Sequence, residues 1–190
     1  GNAGIEIGEN DGPLIDAVME SKLQATMAHL KFEEIMGGDT AESIDAVRAL
    51  MQDARWFIVV IAEGGSNEEG TFVALTDPDA LAIQARSLAY FDALAAALDQ
   101  RYASRGETLS EARFHELDAQ FDAAFDAFIN EIDSLESIIQ TRAATSLKGL
   151  RDTVDSSRWI MIAIVVAALV TGVLLGQVIP PSITRPLGAC

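Results

Sequence analysis

The spacing of apolar residues along the chain predicts four amphipathic helices. In each, apolar side chains recur every three or four residues with polar side chains between them, as expected of a helix with one buried face. The recurring apolar positions are Ile15, Met19, Leu23, Met27 and Leu30 in the first helix, Ile44, Val47, Met51, Ala54, Ile58 and Ile61 in the second, Leu81, Leu88, Phe91, Leu94, Leu98 and Tyr102 in the third, and Phe114, Leu117, Phe121, Phe125, Phe128, Ile132, Leu135 and Ile139 in the fourth. The segment 71–75 is the one strand candidate. The pattern predicts an all-α fold.

Glycine, proline and capping residues set the predicted helix ends. The first helix covers 13–36 and follows a glycine-rich linker at 1–12. The polar segment 64–77 separates the second helix from the third, which ends near Ser104. The predicted capping residues are Asp39 or Thr40 for the second helix, Asp77 for the third, and Thr108 or Ser110 for the fourth.

The fourth helix is predicted to be the longest. No proline lies between Thr108 and Ile179, and 159–179 is an uncharged stretch of 21 residues. A helix of these 21 residues spans roughly 30 Å, the thickness of the hydrocarbon core of a bilayer. The short connections predict an antiparallel up-down-up-down four-helix bundle whose last helix continues into a transmembrane helix. Because 136–156 has no predicted partner within the chain, it needs a helix either from a segment before Gly1 or from a second copy, and its coiled-coil spacing favours a homodimer.

Charge is distributed unevenly along the 190 residues. The chain has 29 acidic and 13 basic residues, for a net charge of −16. All acidic residues precede Ser156, and only Arg158 and Arg185 of the basic residues follow it. A surface this acidic repels phosphate, which excludes nucleic acid as a partner, and it favours a cationic or neutral ligand over an anion. The lone Cys190 excludes a disulfide framework and a cysteine-based zinc site.

The last residues, 180–190, read PPSITRPLGAC. An apolar helix followed by proline and then by Ile183, Thr184, Arg185, Pro186 and Leu187 resembles the opening of a HAMP linker. HAMP linkers are cytoplasmic adaptors of bacterial chemoreceptors, sensor histidine kinases and membrane cyclases. The resemblance implies that the residues before the membrane segment are extracytoplasmic.

Two stretches of the acidic part resemble the four-helix sensory domains of such receptors. They are AHLKFEEI at 28–35 with Gly38 and Asp39, and AEGGSNEEGTF at 62–72, which precedes Asp77. Lys31 stands where that group is expected to have an aromatic residue. The resemblance covers roughly residues 13–180.

The resemblance implies a domain order and a role. The expected order is a linker at 1–12, an extracytoplasmic sensory domain at 13–156, a transmembrane helix at 157–179 and the start of a HAMP linker at 180–190. The implied protein is a methyl-accepting chemotaxis protein or a related sensor kinase or cyclase of the inner membrane, with residues 1–156 in the periplasm. Cytoplasmic signalling domains would follow. The resemblance gives no ligand chemistry, and we expect a small molecule, a metal or a periplasmic binding protein as the ligand.

Two other expectations concern the kind of protein. No nucleophile–base arrangement, phosphate loop or pair of catalytic acids is present, so we expect no enzymatic activity. The chain starts without methionine and ends soon after the apolar stretch, which suggests a piece of a longer protein. The alternative to a sensory module is a structural, membrane-anchored dimeric bundle that binds no small ligand.

A divalent-metal site is one hypothesis for the ligand. His29 and Glu33 are four residues apart on one helix face, where an imidazole and a carboxylate can share a metal ion. We expect His115 at a similar height on the fourth helix, with Asp118 or Glu111 completing the ligands. A bis-histidine haem is disfavoured. The alternative is that His29 pairs with a carboxylate at the bundle edge and His115 is solvated.

Two further groups of charged residues are candidates for ligand binding. Glu63, Glu68 and Glu69 cluster on the glycine-rich loop, where they could hold a cation or contact a partner subunit; the alternative is a solvated turn. Arg48, Arg55 and Arg86 lie near mid-bundle, where a guanidinium could hold a carboxylate ligand. The alternative for these arginines is surface ion pairing, with Glu42, Asp45 or Asp53 as available partners.

Overall fold

The computed structural model describes the backbone of residues 3–108 and 110–178, and the side chains of 11–108, 110–145, 148 and 157–168. The protein is all-α, as predicted. Its elements in chain order are α1 (Ala3–Met36), α2 (Ile44–Glu63), β1 (Gly65–Asn67), β2 (Gly70–Phe72), α3 (Pro78–Ala103), a 3₁₀ turn (Ser104–Gly106) and α4 (Glu111–Val178). The chain divides into two compact units, 1–145 and 146–190.

The cap of α2 differs from the prediction. Ser43 is the N-cap, and its side chain accepts a hydrogen bond from the Ala46 N–H at 3.1 Å. The predicted cap at Asp39 or Thr40 is wrong, because the Asp39 carboxylate accepts instead from the Ala41 N–H at 2.7 Å within the connecting turn. The helix therefore starts after the turn that Asp39 stabilises.

The caps of α3 and α4 agree with the prediction. Asp77 accepts from the N–H groups of Asp79 and Ala80, at 3.0 and 2.9 Å. The Ser110 hydroxyl accepts from the Arg113 N–H at 3.3 Å. Both side chains satisfy N–H groups that a helix start leaves without an intrahelical partner.

The predicted linker at 1–12 is wrong, because α1 begins at Ala3 and contains Pro13. Glycine has a low helix propensity, which is why the sequence of this segment predicted a linker. Asp11 is buried, and its Oδ1 lies 3.8 Å from Arg142 Nε on α4. From the sequence we expect 136–156 to lack a partner within the chain. This expectation is wrong for the residues up to Arg142, because they pack beside α1.

The buried face of α1 is not the predicted one. Phe32 and Ile35 are buried together with small residues of the same helix, namely Ala17, Ser21, Ala25 and Ala28. Four of the predicted core residues are exposed instead: Met19, Leu23, Met27 and Leu30. Small side chains let α1 approach its neighbours closely, and they leave a second apolar stripe of larger residues outside. Periodicity alone does not distinguish the two stripes.

The other three helices bury the predicted faces. In α4 the predicted positions from Leu117 to Ile139 are buried or half-buried, whereas Phe114 is exposed. Four phenylalanines are among the largest fully buried side chains, and they come from three helices: Phe32, Phe91, Phe121 and Phe128. The core of the unit 1–145 therefore lies between α1, α2, α3 and α4.

Charged side chains link the helices around this core. Lys22 on α1 contacts Asp133 and Glu136 on α4, with Lys22 Nζ 3.0 Å from Glu136 Oε2. The two carboxylates raise the pKa of Lys22 despite its partial burial. Lys31 Nζ on α1 lies 2.6 Å from Glu42 Oε1 in the connection to α2.

The predicted strand candidate at 71–75 is only partly a strand. A short antiparallel hairpin pairs β1 with β2, and Leu75 then donates its N–H to the Ile61 carbonyl at 2.8 Å. The Asn67 side chain accepts from the N–H groups of Glu69 and Gly70 in the hairpin turn. Gly70 has a φ of 152°, which favours glycine. The hairpin presents its acidic residues at the end of α2.

The unit 146–190 contains the C-terminal part of α4. Its described apolar side chains, such as Trp159, Met161 and Ile164, are exposed. Among the residues that the structure describes, no helix carries an apolar stretch long enough to cross a bilayer. The predicted membrane segment 157–179 continues past residue 168, where the described side chains end, and the predicted HAMP start at 180–190 lies outside the described residues.

Candidate ligand site on α1, α3 and α4

Arg101, near the end of α3, is a buried cation that joins three helices. Only 4% of its side chain is exposed. Its Nη1 contacts Glu33 on α1, its Nη2 contacts Asp118 on α4, and Nη2 lies 3.2 Å from the second oxygen of Glu33. Charge-assisted contacts of a guanidinium fork with carboxylates are stronger than neutral hydrogen bonds. Arg101 therefore fixes the ends of three helices against each other.

Aromatic rings form the apolar side of this cluster. The guanidinium carbon of Arg101 lies 5.5 Å from the ring centroid of Phe32 and 5.3 Å from that of Phe121. Both distances are within the range of cation–π attraction. The Arg101 Nε is buried and has no hydrogen-bond partner. The two rings thus shield from water the part of the guanidinium that does not contact a carboxylate.

His29 lies beside the arginine cluster, on α1. Its ring stacks on Phe125 with centroids 4.2 Å apart and an interplanar angle of 18°. Its Nε2 is buried and has no hydrogen-bond partner, although Asp122 Oδ1 is 3.6 Å away and Glu33 Oε1 is 3.9 Å away. The stacking holds an imidazole nitrogen between two carboxylates from different helices.

The predicted metal set is only partly brought together. His29 and Glu33 share a face as expected, but Asp118 contacts Arg101, and His115 is 66% exposed beside Glu111. The expected common height of the two histidines is wrong, because His29 lies opposite Asp122. His115 precedes Asp122 by seven residues, which places it about 10 Å further along α4. Within the described residues, ligand atoms converge only in the group of His29, Glu33 and Asp122.

The three candidate arginines are half-exposed members of ion pairs between helices. Arg48 Nη2 lies 3.0 Å from Asp99 Oδ1, and Arg55 Nε lies 3.0 Å from Asp92 Oδ1, so both link α2 to α3. The hydrogen bond to Asp99 is the main reason that the pKa of Arg48 is raised. This is the surface pairing considered as the alternative, but the partners belong to a neighbouring helix.

Arg86, like Arg48 and Arg55, pairs with a carboxylate on a neighbouring helix. Its Nη2 lies 2.8 Å from Glu131 Oε1, which links α3 to α4. All three guanidinium groups already have a carboxylate partner. A carboxylate ligand would have to displace that partner.

The acidic loop forms a second, shallower region at the hairpin. Glu69 lines a groove of about 290 Å³ with Asp16, Glu20 and other residues of α1 and β2. Partial desolvation and repulsion from Glu20 and Asp16 raise the pKa of Glu69. Glu68 lines a neighbouring groove beside Trp56. Glu63 is the last residue of α2 and is exposed.

Two members of the main cluster were not predicted as site residues. Arg101 continues the buried face of α3 at spacings of four and three after Leu94 and Leu98, so a charge in an apolar seam was the available signal. Asp122 gave no such signal, because acidic residues are frequent along α4. Its proximity to His29 depends on how α1 and α4 are aligned.

Comparison with known proteins does not add a family assignment. The chain matches no protein-family model and no curated protein.

Proposed function

We propose that the chain is the ligand-sensing input module of a bacterial transmembrane signal transducer. The observation that carries the proposal concerns α4. This helix supplies Asp118 and Asp122 to the candidate site and also includes most of the apolar run predicted to cross the membrane. A ligand that changes how α4 packs against α1 and α3 would displace the helix that leads to the output domains.

An antiparallel up-down-up-down four-helix bundle is the proposed arrangement of 13–156. The ion pairs support it: Arg48 pairs with Asp99 and Arg55 pairs with Asp92, so residue numbers rise along α2 as they fall along α3. In the contacts of α1 with α4 and of α3 with α4, residue numbers likewise rise along one helix as they fall along the other. Each helix then runs opposite to its neighbours, as the short connections require.

Membrane insertion is proposed for 157–179, with 1–156 in the periplasm and the start of a HAMP linker at 180–190. The apolar residues Trp159, Met161 and Ile164 are exposed in the chain alone, and burying them in lipid would remove this apolar surface from water. The resemblance of 180–190 to a HAMP opening supports the same orientation. Chemotaxis, kinase or cyclase output would then depend on the domain that follows.

A homodimer is proposed, through the exposed stripe of α1 formed by Met19, Leu23, Met27 and Leu30. These four residues are between 39% and 59% exposed, although they are large and apolar. Two copies of α1 packed about a twofold axis would bury the stripe of each copy against that of the other. A second copy is the proposed occupant because the stripe follows the period of a helix-to-helix seam.

A receptor chimera tests the proposed function. The full chain would be fused after Cys190 to the remainder of the HAMP linker and the kinase-control domain of a characterised chemoreceptor. The chimera would then be challenged with a library of divalent metals, amines and neutral metabolites. We expect at least one compound to change kinase activity and to raise the melting temperature of the full chain. Constant activity with every compound and no thermal shift would support the structural alternative instead.

A further inference from the structure

We propose that His29, Glu33 and Asp122 bind a divalent transition-metal ion, and that this ion is a ligand of the input module. The second half of this statement rests on the proposed function, but metal binding itself does not. One ligand atom from each residue lies within 4.8 Å of the others. The site joins α1 and α4, the two helices whose relative position matters for signalling.

The geometry is close to that of a metal site. Ligand atoms around a tetrahedral zinc ion lie about 3.3 Å apart, because zinc bonds to nitrogen and oxygen are about 2.0–2.2 Å long. His29 Nε2 lies 3.6 Å from Asp122 Oδ1 and 3.9 Å from Glu33 Oε1. The three ligand atoms all lie within 4.8 Å of one another, so the two carboxylate oxygens would have to approach each other by up to about 1.5 Å, a side-chain movement, for all three atoms to coordinate one ion. A water molecule would take the fourth position.

The unpartnered nitrogen is the second observation. His29 Nε2 is buried without a hydrogen-bond partner, and leaving a buried polar atom unpaired is unfavourable. Phe125 stacks on the ring and fixes its orientation toward the two carboxylates. A bound metal ion would satisfy Nε2 and both carboxylates at once.

Charge favours a cation at this place. Glu33, Asp118 and Asp122 supply three negative charges, and Arg101 supplies one positive charge, which leaves an excess of two. A divalent ion would neutralise that excess. The imidazole ligand favours zinc, nickel or copper over calcium and magnesium, which prefer sites made of oxygen ligands alone.

Arg101 supplies the link to helix movement. It contacts the same Glu33 oxygen, Oε1, that faces His29, so a metal ion would compete with the guanidinium for this atom. Binding would loosen the contact of α1 with α3 and add a bond between α1 and α4. Arg101 would keep Asp118 as its partner. The ion would thus weaken one helix contact, which Glu33 Oε2 still makes with Arg101 Nη2 at 3.2 Å, and add another.

Isothermal titration of the full chain with zinc tests the site. We expect one zinc ion per chain, and His29→Ala and Asp122→Asn should each weaken binding by more than about 10-fold, since even outer-shell partners of a metal are worth 10–100-fold. The matched controls are His115→Ala, the other histidine, and Asp126→Asn, one turn along α4 from Asp122. Both controls should bind zinc like the unsubstituted chain, and calcium should not replace zinc.

Three outcomes would overturn the inference: no zinc binding, binding that persists in His29→Ala and Asp122→Asn, or binding that His115→Ala weakens equally. Circular dichroism shows whether each variant folds, and the conservative His29→Gln replaces His29→Ala if the latter does not. The chimera separates this inference from the proposed function. Zinc binding without a change in kinase activity would support the metal site and contradict its role in signalling. A kinase response to another compound, without zinc binding, would support the proposed function and contradict the metal site.

Discussion

At the residue scale, Arg101 shows how one charge can organise a core. A guanidinium with 4% exposure needs partners, because an uncompensated charge in the interior is strongly destabilising. Glu33 and Asp118 provide them, and both remain more than a third exposed. The carboxylates therefore keep contact with water while the arginine does not, which leaves Glu33 available to a second cation.

Replacing Arg101 with methionine should destabilise the protein. The two carboxylates would lose their partner, and we expect a loss of about 1–3 kcal/mol in the free energy of unfolding, less than for a wholly buried pair because the carboxylates are partly hydrated. Arg55→Met is the matched control, since Arg55 and its partner Asp92 are 48% and 54% exposed and their pair should contribute less than about 1 kcal/mol. Urea denaturation of the full chain measures both. Equal losses for the two variants would contradict the central role of Arg101.

Ser21→Ala should stabilise the protein. The Ser21 hydroxyl is fully buried in α1 and has no hydrogen-bond partner, a loss of hydration that costs about 1–3 kcal/mol. Alanine removes the hydroxyl and has a higher helix propensity. Ser87→Ala is the matched control, because the Ser87 hydroxyl donates to the Ile83 carbonyl at 3.0 Å. We expect a higher melting temperature for Ser21→Ala than for Ser87→Ala, and the reverse order would show that Ser21 has a partner.

At the element scale, α1 has two apolar faces, and this explains where sequence reasoning succeeded and failed. In α2, α3 and α4 a single apolar face exists, so periodicity predicted most of the buried residues. In α1 the stripe through Leu23 carries large apolar residues along its length, whereas the buried face mixes small residues such as Ala25 with large ones such as Phe32. The choice between the two faces depends on how closely the neighbouring helices approach α1. The periodicity of the sequence gives no information on that distance.

The same limit applies to the candidate site. The four-residue spacing of His29 and Glu33 is local and was predicted, because one helix determines it. The contribution of Asp122 depends on the register between α1 and α4, which lie far apart in the chain. The contact of Asp11 with Arg142 is non-local in the same way, since it also depends on the register between α1 and α4.

Leu23→Glu should disrupt the proposed dimer. In a twofold interface each substitution counts twice, and because Leu23 is already half-buried in the chain alone, losing the remaining burial of two leucines costs about 1.5–3 kcal/mol, which is more than about 10-fold in the dissociation constant. Tyr90→Glu on α3 is the matched control, because Tyr90 is also large and 41% exposed but lies off the stripe. Analytical ultracentrifugation of the full chain in detergent measures the dissociation constant. Equal weakening by both variants, or none by Leu23→Glu, would place the interface elsewhere.

At the scale of the whole molecule, the acidic residues and the apolar run belong to different parts of one chain. All 29 acidic residues precede Ser156, and α4 is helical from Glu111 to Val178. If the chain is a signal transducer, this helix has to transmit a displacement past the point where the composition changes. Helical continuity there is therefore a requirement of the proposed function and not only of the fold.

Interrupting α4 at 153–155 should separate binding from output. Replacing Thr153, Val154 and Asp155 with three glycines lowers helix stability by about 3 kcal/mol relative to three alanines, since each glycine costs about 1 kcal/mol. The triple-alanine variant has the same length and keeps the helical register. In the chimera we expect the glycine variant to bind zinc like the unsubstituted chain, measured by titration, while its kinase activity no longer responds to zinc. The alanine variant should retain both properties, and a full response in the glycine variant would contradict transmission through a continuous α4.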